Sequence, residues 1–320
     1  MAYNLKEVVK KKVRFTSGHR MCAGCGAPTT VRAILSALKD EDDAVITSAT
    51  GCLEVSSCIY PYTSWKNSSF IHSAFENAGA TCSGVEAAYK SLKKQGKLSK
   101  DKNVKFIAFG GDGGTYDIGF QSLSGAMERG HDMVYVCYDN GAYMNTGTQR
   151  SSATPHFADT TTAPAGKVMP GKIQPRKDLT EIMAKNNTAY VAQTALIGNF
   201  KDIHEKAEKA IYTEGPCFIA TLSPCPRGWG YPTDMLMEIS KLAVDTCFWP
   251  LYEVKDGVYT VNYKPAKKLP VEEFLRPQKR FKHMFKEGNE WMIKQFQEEV
   301  DKKWEYLLTM EELTHKEIKE

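Results

Sequence analysis

Residues 106–120, FIAFGGDGGTYDIGF, and residues 134–149, VYVCYDNGAYMNTGTQ, decide the fold. An apolar run that ends in a glycine-rich turn around Asp112 predicts a buried strand, and apolar residues at helical spacing follow the turn. A second apolar run then ends at Asp139 and Asn140. A helical crossover favours parallel neighbouring strands, which would bring Asp112 and Asn140 to the same edge of one sheet.

This pair of polar side chains suits a metal ion that holds a diphosphate. Mg²⁺ prefers hard oxygen ligands and combines protein carboxylates or amides with phosphate oxygens and water. Asp112 and Asn140 are the predicted side-chain ligands, and a backbone carbonyl near Ala142 could supply a third. Glycines and a helix N-terminus let the backbone approach an anion closely. A glycine turn in which Asp112 only caps a helix remains open from these residues alone.

Length and composition indicate an ordinary globular protein. The chain has 320 residues, 42% of them apolar and 25% charged, which is enough to bury a sizeable core. The formal net charge of +4 arises from mixed basic and acidic residues, so nucleic-acid binding is not expected. No apolar stretch approaches the roughly 20 residues that span a bilayer, and the N-terminal residues lack the apolar region of a secretory signal. We therefore expect a cytoplasmic protein without a membrane association.

The nine cysteines raise the question of a metal or cluster site. Their odd number, without a secretory signal, argues against a disulfide framework. Cys22 and Cys25 form a Cys-x-x-Cys in GHRMCAGCG, Cys52 follows a strand-like run, and Cys225 lies between prolines in SPCPRGW. Glycine beside a Cys-x-x-Cys permits the tight turn in which thiolates and amides face one ion or cluster. A redox dithiol or a structural zinc site also remains open for Cys22 and Cys25.

These segments together resemble the beta subunits of the 2-oxoacid:ferredoxin oxidoreductases, most closely those that act on pyruvate. The matching segments extend to about residue 249. They are CAGCG from Cys22, ATGCLEV from Ala49, IYPYTSW from Ile59, HSAFENAGATCSGVEAA from His72, GGDGGTYDIG from Gly110, DNGAYMNTGTQ from Asp139 and LSPCPRGW from Leu222.

The resemblance implies thiamine diphosphate, Mg²⁺ and one [4Fe-4S] cluster as cofactors. The implied Mg²⁺ ligands are Asp112, Asn140 and the backbone of Ala142. The diphosphate would be lined by Gly111 and Gly113 and approached by Gly51 and the backbone of Cys52. The cluster ligands would be Cys22, Cys25, Cys52 and Cys225. Asn145 and Thr146 would make polar contacts at the reacting centre, although a local turn role for Asn145 is equally open.

The implied reaction is the oxidative decarboxylation of pyruvate with coenzyme A to acetyl-CoA and carbon dioxide, or the reverse synthesis, with electrons passing through the cluster to ferredoxin. No carboxylate has a context that supplies the glutamate needed at the aminopyrimidine, so an alpha subunit is expected to complete the site. No ferredoxin-type cysteine run is present, which implies gamma and delta subunits, the latter with ferredoxin-like clusters. The same machinery acting on 2-oxoisovalerate, 2-oxoglutarate or oxalate, and a non-catalytic metal-binding scaffold, remain alternatives.

Alternating strand and helix patterns predict an α/β fold with a doubly wound, mostly parallel sheet of the thiamine-diphosphate-binding type. Helices are expected at residues 28–38, 77–93, 120–129 and 201–213. Residues 1–250 form the predicted cofactor-binding domain, and residues 150–176 form a long loop over the site.

Residues 251–320 form a predicted C-terminal extension that packs on the core or on a partner subunit. Its sequence YEVKDGVYTVNY, residues 252–263, is typical of a hairpin with an Asp-Gly turn. A helical arm should follow, with Trp291, Ile293, Phe296 and Val300 on its apolar face.

Overall fold

The chain folds around a single eight-stranded sheet in the order β2-β1-β3-β4-β6-β5-β7-β8. The computed structural model describes residues 3–99 and 101–317. The strands are β1 (Asp43–Ala49), β2 (Ser69–Ser73), β3 (Val104–Gly111), β4 (Val134–Asp139), β5 (Tyr190–Ala195), β6 (Cys217–Leu222), β7 (Tyr252–Lys255) and β8 (Val258–Val261). β4, β5 and β6 are buried along their whole length, as expected of parallel strands covered on both faces.

Strands β1 to β6 pair in parallel, and β3 and β4 are the predicted neighbours. Their register sets Gly111 opposite Tyr138, so the residues that follow the two strands begin at the same level. β7 and β8 extend the sheet as an antiparallel hairpin. Asp256 and Gly257 at its turn have φ of 50° and 79°, the left-handed values that a two-residue type I′ turn requires. The predicted fold class and hairpin are confirmed.

Helices cover both faces of the sheet. They are α1 (Leu5–Val8), α2 (Gly26–Leu35), α3 (Cys52–Ser57), α4 (Ala78–Lys94), α5 (Phe120–Glu128), α6 (Leu179–Ala184), α7 (Lys201–Tyr212), α8 (Pro226–Trp229), α9 (Leu236–Asp245), α10 (Glu272–Leu275) and α11 (Glu290–Glu317). α2 and α7 bury their apolar sides with one face of the sheet, and α4, α5, α6 and α9 pack on the other. The expected helices are present as α2, α4, α5 and α7.

The C-terminal region closes one end of this core. α11 lies against β8, where the hydroxyl of Thr314 accepts the Tyr259 N–H at 3.1 Å. Its buried side is formed by Met292, Phe296, Val300 and Leu307. The predicted apolar face was therefore wrong at Trp291, which is 50% exposed because the buried stripe begins one residue later. The boundary at residue 250 stays a prediction.

No helix in residues 3–99 and 101–317 is long and apolar enough to cross a membrane.

Candidate functional site

Most of the predicted site residues lie at or after the ends of strands β1, β3, β4 and β6, which are neighbours in the sheet, whereas Cys22 and Cys25 precede α2. Because these strands are parallel, the loops that follow them meet at one edge, where open α/β sheets bind ligands. β1 leads to Gly51 and Cys52, β3 to Asp112, β4 to Asn140, and β6 to Cys225. The structure thus brings residues from distant parts of the sequence to one sheet edge.

Three oxygen atoms converge at the metal position that the sequence predicts. The side-chain oxygen of Asn140 lies 3.0 Å from Asp112 Oδ1 and 2.9 Å from the carbonyl oxygen of Ala142. If no cation is bound, the Asn140 amide can turn so that its nitrogen donates to the Asp112 and Ala142 oxygens. The orientation of this amide therefore depends on what is bound. Mg²⁺ holds its ligands at about 2.0–2.1 Å in an octahedron, so neighbouring ligands are about 3 Å apart. The spacing of these oxygens fits that edge length.

Buried neighbours fix Asp112. Its side chain is 0% exposed, and it accepts the Asn140 backbone N–H at 3.2 Å and the hydroxyl hydrogen of Ser151. Burial raises the pKa of Asp112 well above its usual range, Asp139 raises it further, and the bond from Ser151 acts in the opposite direction. A bound divalent cation would reverse this preference and favour the carboxylate.

Asp139 belongs to a second buried network beside the ligands. It is paired with Arg176, and it accepts the Gly141 N–H at 3.1 Å. Arg176 also donates to the carbonyl of Ala153 and to the hydroxyl of Tyr116, at 2.6 Å each. These hydrogen bonds connect the 150–176 segment to the loop that follows β4. Sequence patterns did not predict the roles of Ser151 and Arg176, because both act through contacts with residues far away in the chain.

A narrow cleft opens next to the oxygen triad. A π-helix, Gly113–Ile118, begins directly after Asp112, and such segments are frequent at functional sites. A β carbon on Gly113 would lie 2.4 Å from the ring of Tyr143, so only glycine fits there. The described residues lining the cleft are Thr50, Gly51, Cys52, Phe75, Gly111, Gly113, Gly114, Tyr138, Asn140, Ala142, Tyr143, Met144, Asn145 and Thr146.

Asn145 and Thr146 lie exposed at this cleft. Thr146 is held in a local turn, in which its hydroxyl donates to Gln149 and its carbonyl accepts the Gln149 side-chain amide at 2.8 Å. Both residues are therefore reachable from solvent and from a molecule bound in the cleft.

The predicted cysteines approach one another from three separate loops. The Gly26 N–H donates to the carbonyl of Pro224 at 2.9 Å, which joins the Cys22–Cys25 loop to the Cys225 loop. A β carbon on Gly26 would come within 2.8 Å of the Pro224 nitrogen, so this close approach needs glycine.

The pKa shifts of the thiols also indicate that the four cysteines lie close together. Burial raises the pKa of Cys25 to about 12, and Cys225, Cys52 and Cys22 add to that shift. Burial likewise raises the pKa of Cys52 to about 12, with further contributions from Cys225, Cys22 and Asp112. Binding a metal would reverse these shifts, because the bound form is the thiolate. The Gly228 N–H already donates to Cys225 Sγ at 3.3 Å.

A single metal ion and a four-iron cluster require different arrangements of four cysteines. Within residues 3–99 and 101–317, no three His, Cys, Asp or Glu side chains are placed to share a single metal ion. A thiolate set around one zinc ion requires each sulfur at about 2.3 Å from it. In a four-iron cluster each of the four cysteines binds a different iron atom, so the sulfurs do not have to share one ion. The oxygen triad uses an amide and a carbonyl and is a different kind of site.

Of the five other cysteines, Cys58 is half-buried at the end of α3. Cys82, Cys137, Cys217 and Cys247 are buried in the core. Cys217 begins β6, whereas Cys225 follows the other end of that strand. Arg227 is exposed. Arg280, from the C-terminal region, is buried beside Trp229 and was not predicted as a site residue.

Comparisons with known proteins agree with this geometry. Residues 49–221 match the family described as the C-terminal TPP-binding domain of thiamine pyrophosphate enzymes. The chain is 52% identical to pyruvate synthase subunit PorB of Thermotoga maritima, covering 98% of each chain. It is 53% identical to PorB of Methanocaldococcus jannaschii, covering 92% of this chain and 96% of the relative.

Two further relatives differ in the substrate that they name. Ketoisovalerate oxidoreductase subunit VorB of Pyrococcus abyssi is 42% identical over 93% of this chain and 94% of its own. A solved 2-oxoglutarate:ferredoxin oxidoreductase from Magnetococcus marinus, with 2-oxoglutarate, coenzyme A and succinyl-CoA bound, has a TM-score of 0.55 at 24% identity. It covers 70% of this chain and 68% of that chain, and shows the same fold.

The family match and the long alignments confirm the resemblance that the motifs indicated. The chain therefore belongs to the family of pyruvate synthase PorB subunits, the beta subunits of 2-oxoacid:ferredoxin oxidoreductases, and carries the thiamine pyrophosphate-binding domain of that family.

Proposed function

We propose that this subunit anchors thiamine diphosphate through Mg²⁺ and holds a [4Fe-4S] cluster beside it. The enzyme to which it belongs would convert pyruvate and coenzyme A to acetyl-CoA and carbon dioxide, or run the reverse synthesis. The observation that carries the proposal is the convergence of the oxygen triad and the cysteine loops at the ends of β1, β3, β4 and β6. The cytoplasmic location expected from the sequence is part of the proposal, and nine free cysteines suit a reducing compartment.

The oxygen triad would bind the metal, and the glycine cleft would receive the diphosphate. Asp112, Asn140 and the Ala142 carbonyl would hold Mg²⁺, while Gly51, Gly111 and Gly113, with the backbone of Cys52, leave room for phosphate oxygens beside it. When bound, thiamine diphosphate supplies the carbanion-stabilising chemistry that 2-oxoacid decarboxylation requires. Asn145 and Thr146 would offer neutral donors to oxygen atoms that gain charge during the reaction.

The sulfur site would take up electrons from the adjacent cofactor. Cys22, Cys25, Cys52 and Cys225 would be the cluster ligands. Cys52 supports this arrangement most directly, because it lines the cleft with Gly111 and also acts electrostatically with Cys225 and Cys22. One residue would thus border both cofactors, which keeps the path for electrons short.

Partner subunits would complete the enzyme. No Asp or Glu is among the described residues that line the cleft, so an alpha subunit would supply the carboxylate facing the aminopyrimidine of the cofactor. Gamma and delta subunits, the latter with ferredoxin-like clusters, would relay electrons to ferredoxin. The subunit names of the relatives support a multi-subunit complex.

Cofactor analysis of the assembled complex tests the proposal. The complex should contain thiamine diphosphate, and this chain should add iron and sulfide in a 4:4 ratio to those held by its partners. It should reduce ferredoxin with pyruvate only when coenzyme A is present. Zinc in place of iron, together with no thiamine binding, would contradict both cofactor assignments and favour a scaffold subunit.

The substrate assignment has one specific competitor. The 42% identity to a ketoisovalerate oxidoreductase subunit makes a branched-chain 2-oxoacid the second candidate, although PorB of Thermotoga maritima and PorB of Methanocaldococcus jannaschii are more similar. Rates of coenzyme A-dependent ferredoxin reduction should be compared for pyruvate, 2-oxoisovalerate, 2-oxoglutarate and oxalate. A higher kcat/KM for an acid other than pyruvate would overturn the substrate assignment and leave the cofactor sites intact.

A further inference from the structure

Arg280 is a buried cation that forms no salt bridge with an acidic side chain in residues 3–99 and 101–317. Its side chain is 5% exposed, and its Nε–H donates to the neutral Gln278 side chain at 2.8 Å. Its Nη2 is buried and has no hydrogen-bond partner among the described residues. The nearby carboxylate of Asp139 is already paired with Arg176. The fold therefore holds a positive charge and a free N–H donor in a place where neither is satisfied.

The guanidinium lies between the two halves of the site. It stacks on Trp229, with its central carbon 4.0 Å from the ring centroid, and α8, which contains Trp229, begins directly after Cys225. The Trp229 indole N–H donates to the carbonyl of Asn140 at 2.6 Å. A β carbon on Gly141 would lie 3.1 Å from Arg280 Nη1. Arg280 thus contacts the loop that follows β4 on one side and the helix that follows Cys225 on the other.

Cys225 dominates the electrostatic surroundings of this side chain. Among neighbouring charged groups, Cys225 acts on Arg280 most strongly, ahead of Arg176, Asp139 and Asp112. An arginine stays protonated in proteins, and a buried charge requires a compensating opposite charge. Thiolates and the cluster that they hold would provide this negative charge.

A fixed positive charge beside a cluster favours its reduced form, because reduction adds negative charge. Net charge, hydrogen bonds to sulfur and solvent access are the features by which proteins tune cluster potentials. Arg280 would supply the positive charge, and its unpaired Nη2 would supply a donor for a hydrogen bond to sulfur.

We propose, on the basis of the cluster site proposed above, that Arg280 is a positioning residue that raises the reduction potential of the [4Fe-4S] cluster through its charge and its free N–H near Cys225. The C-terminal extension would then act on electron transfer and not only on packing, since Arg280 lies in its 3₁₀ segment Lys279–Phe285.

The test measures potential directly. The full chain is produced with its partner subunits, and the reduced cluster signal that disappears in Cys225→Ala is followed by electron paramagnetic resonance during a redox titration. Arg280→Gln should lower the equilibrium constant for reduction about tenfold, equivalent to a midpoint about 59 mV more negative. Arg280→Lys, which keeps the charge, should shift it less.

Arg276→Gln is the matched control, because Arg276 lies nearby in sequence but is exposed and paired with Glu272. Its midpoint should equal that of the wild type. If Arg280→Gln does not retain iron, Arg280→Met replaces it, since methionine preserves contact with Trp229. A wild-type midpoint in either neutral variant, or loss of iron in every Arg280 variant, would overturn the proposal. Absence of a Cys225-dependent signal in the wild type would refute the cluster site itself.

Discussion

The fold holds the proposed Mg²⁺ ligands, the oxygen side of the site, differently from the four cysteines, the sulfur side. Asp112 and Asn140 are buried, 0% and 7% exposed, and Asp112 is fixed by hydrogen bonds from Ser151 and the Asn140 backbone. Cys22 is exposed, and Cys25, Cys52 and Cys225 are half-buried in loops. Carboxylates and amides hydrogen-bond strongly, whereas thiols are weak donors and acceptors. The fold therefore fixes the Asp112 carboxylate through hydrogen bonds and leaves the four thiols less constrained.

The largest expected effect comes from removing the central oxygen ligand. Asp112→Ala should weaken Mg²⁺-dependent thiamine diphosphate binding by more than about 100-fold, since even residues behind a metal ligand are worth 10–100-fold. Titration calorimetry of the assembled complex measures this loss. Iron content should remain unchanged, because the cluster does not use this carboxylate. Wild-type affinity for the cofactor in Asp112→Ala would remove the oxygen triad from the metal site.

Cys225→Ala should have the converse effect. The iron and sulfide that this chain contributes should be lost, with their share of the [4Fe-4S] absorption, whereas thiamine diphosphate binding should stay close to that of the wild type. Cys217→Ala is the matched control, because Cys217 lies at the far end of β6 from Cys225 and should leave the cluster intact. If Cys225→Ala kept a complete cluster and Cys217→Ala lost it, Cys217 and not Cys225 would be the fourth cluster ligand.

A smaller effect is expected from the residue behind Asp112. Ser151→Ala removes a hydroxyl donor to the carboxylate and should weaken Mg²⁺ binding about tenfold, measured by cofactor titration at varied Mg²⁺. The neighbouring Ser152 donates its side-chain hydroxyl to Asp117 and not to Asp112, so Ser152→Ala is the control. Equal losses in the two variants would indicate a general disturbance of the loop.

The smallest effect concerns the pH dependence of the 150–176 segment, which supports the oxygen side. Lys172 donates to the carbonyls of Thr154 and Pro175 at 2.6 and 3.1 Å, and burial lowers its pKa to about 7. The ordinary lysine pKa is about 10.4, so between pH 7 and about 10 the unfolded chain binds more protons than the folded one. Stability should therefore rise with pH in this window.

Thermal unfolding at pH 7 and pH 9 checks this sign. From pH 7 to pH 9, the free energy of unfolding should increase more for the wild type than for Lys172→Met. The difference should stay below about 1.4 kcal/mol per pH unit, which is the limit for one titrating group. Lys167→Met, at an exposed position of the same segment, should behave like the wild type. Parallel pH profiles of all three proteins would show that Lys172 is not the titrating group.

The contrast between the two sides also explains what the sequence could predict. Gly-Asp-Gly after one apolar run and Asp-Asn-Gly after the next are local signals, and the parallel pairing of β3 with β4 followed from the crossover between them. The roles of Ser151, Arg176 and Arg280 depend on tertiary contacts with distant residues, for which the sequence contains no local pattern. Trp291 was misplaced because several apolar residues in α11 fit a helical period and only packing selects the buried set.

The hydrogen bond between Gly26 and Pro224 has a consequence for biosynthesis. It joins the loop of the first two cysteines to that of the last, and more than half of the chain separates Cys52 from Cys225. A nascent chain therefore exposes Cys22, Cys25 and Cys52 long before their last neighbour has been made. The proposed cluster site could therefore be completed only after β6 and the loop of Cys225 have been made, which would make its completion a late step in the maturation of the subunit.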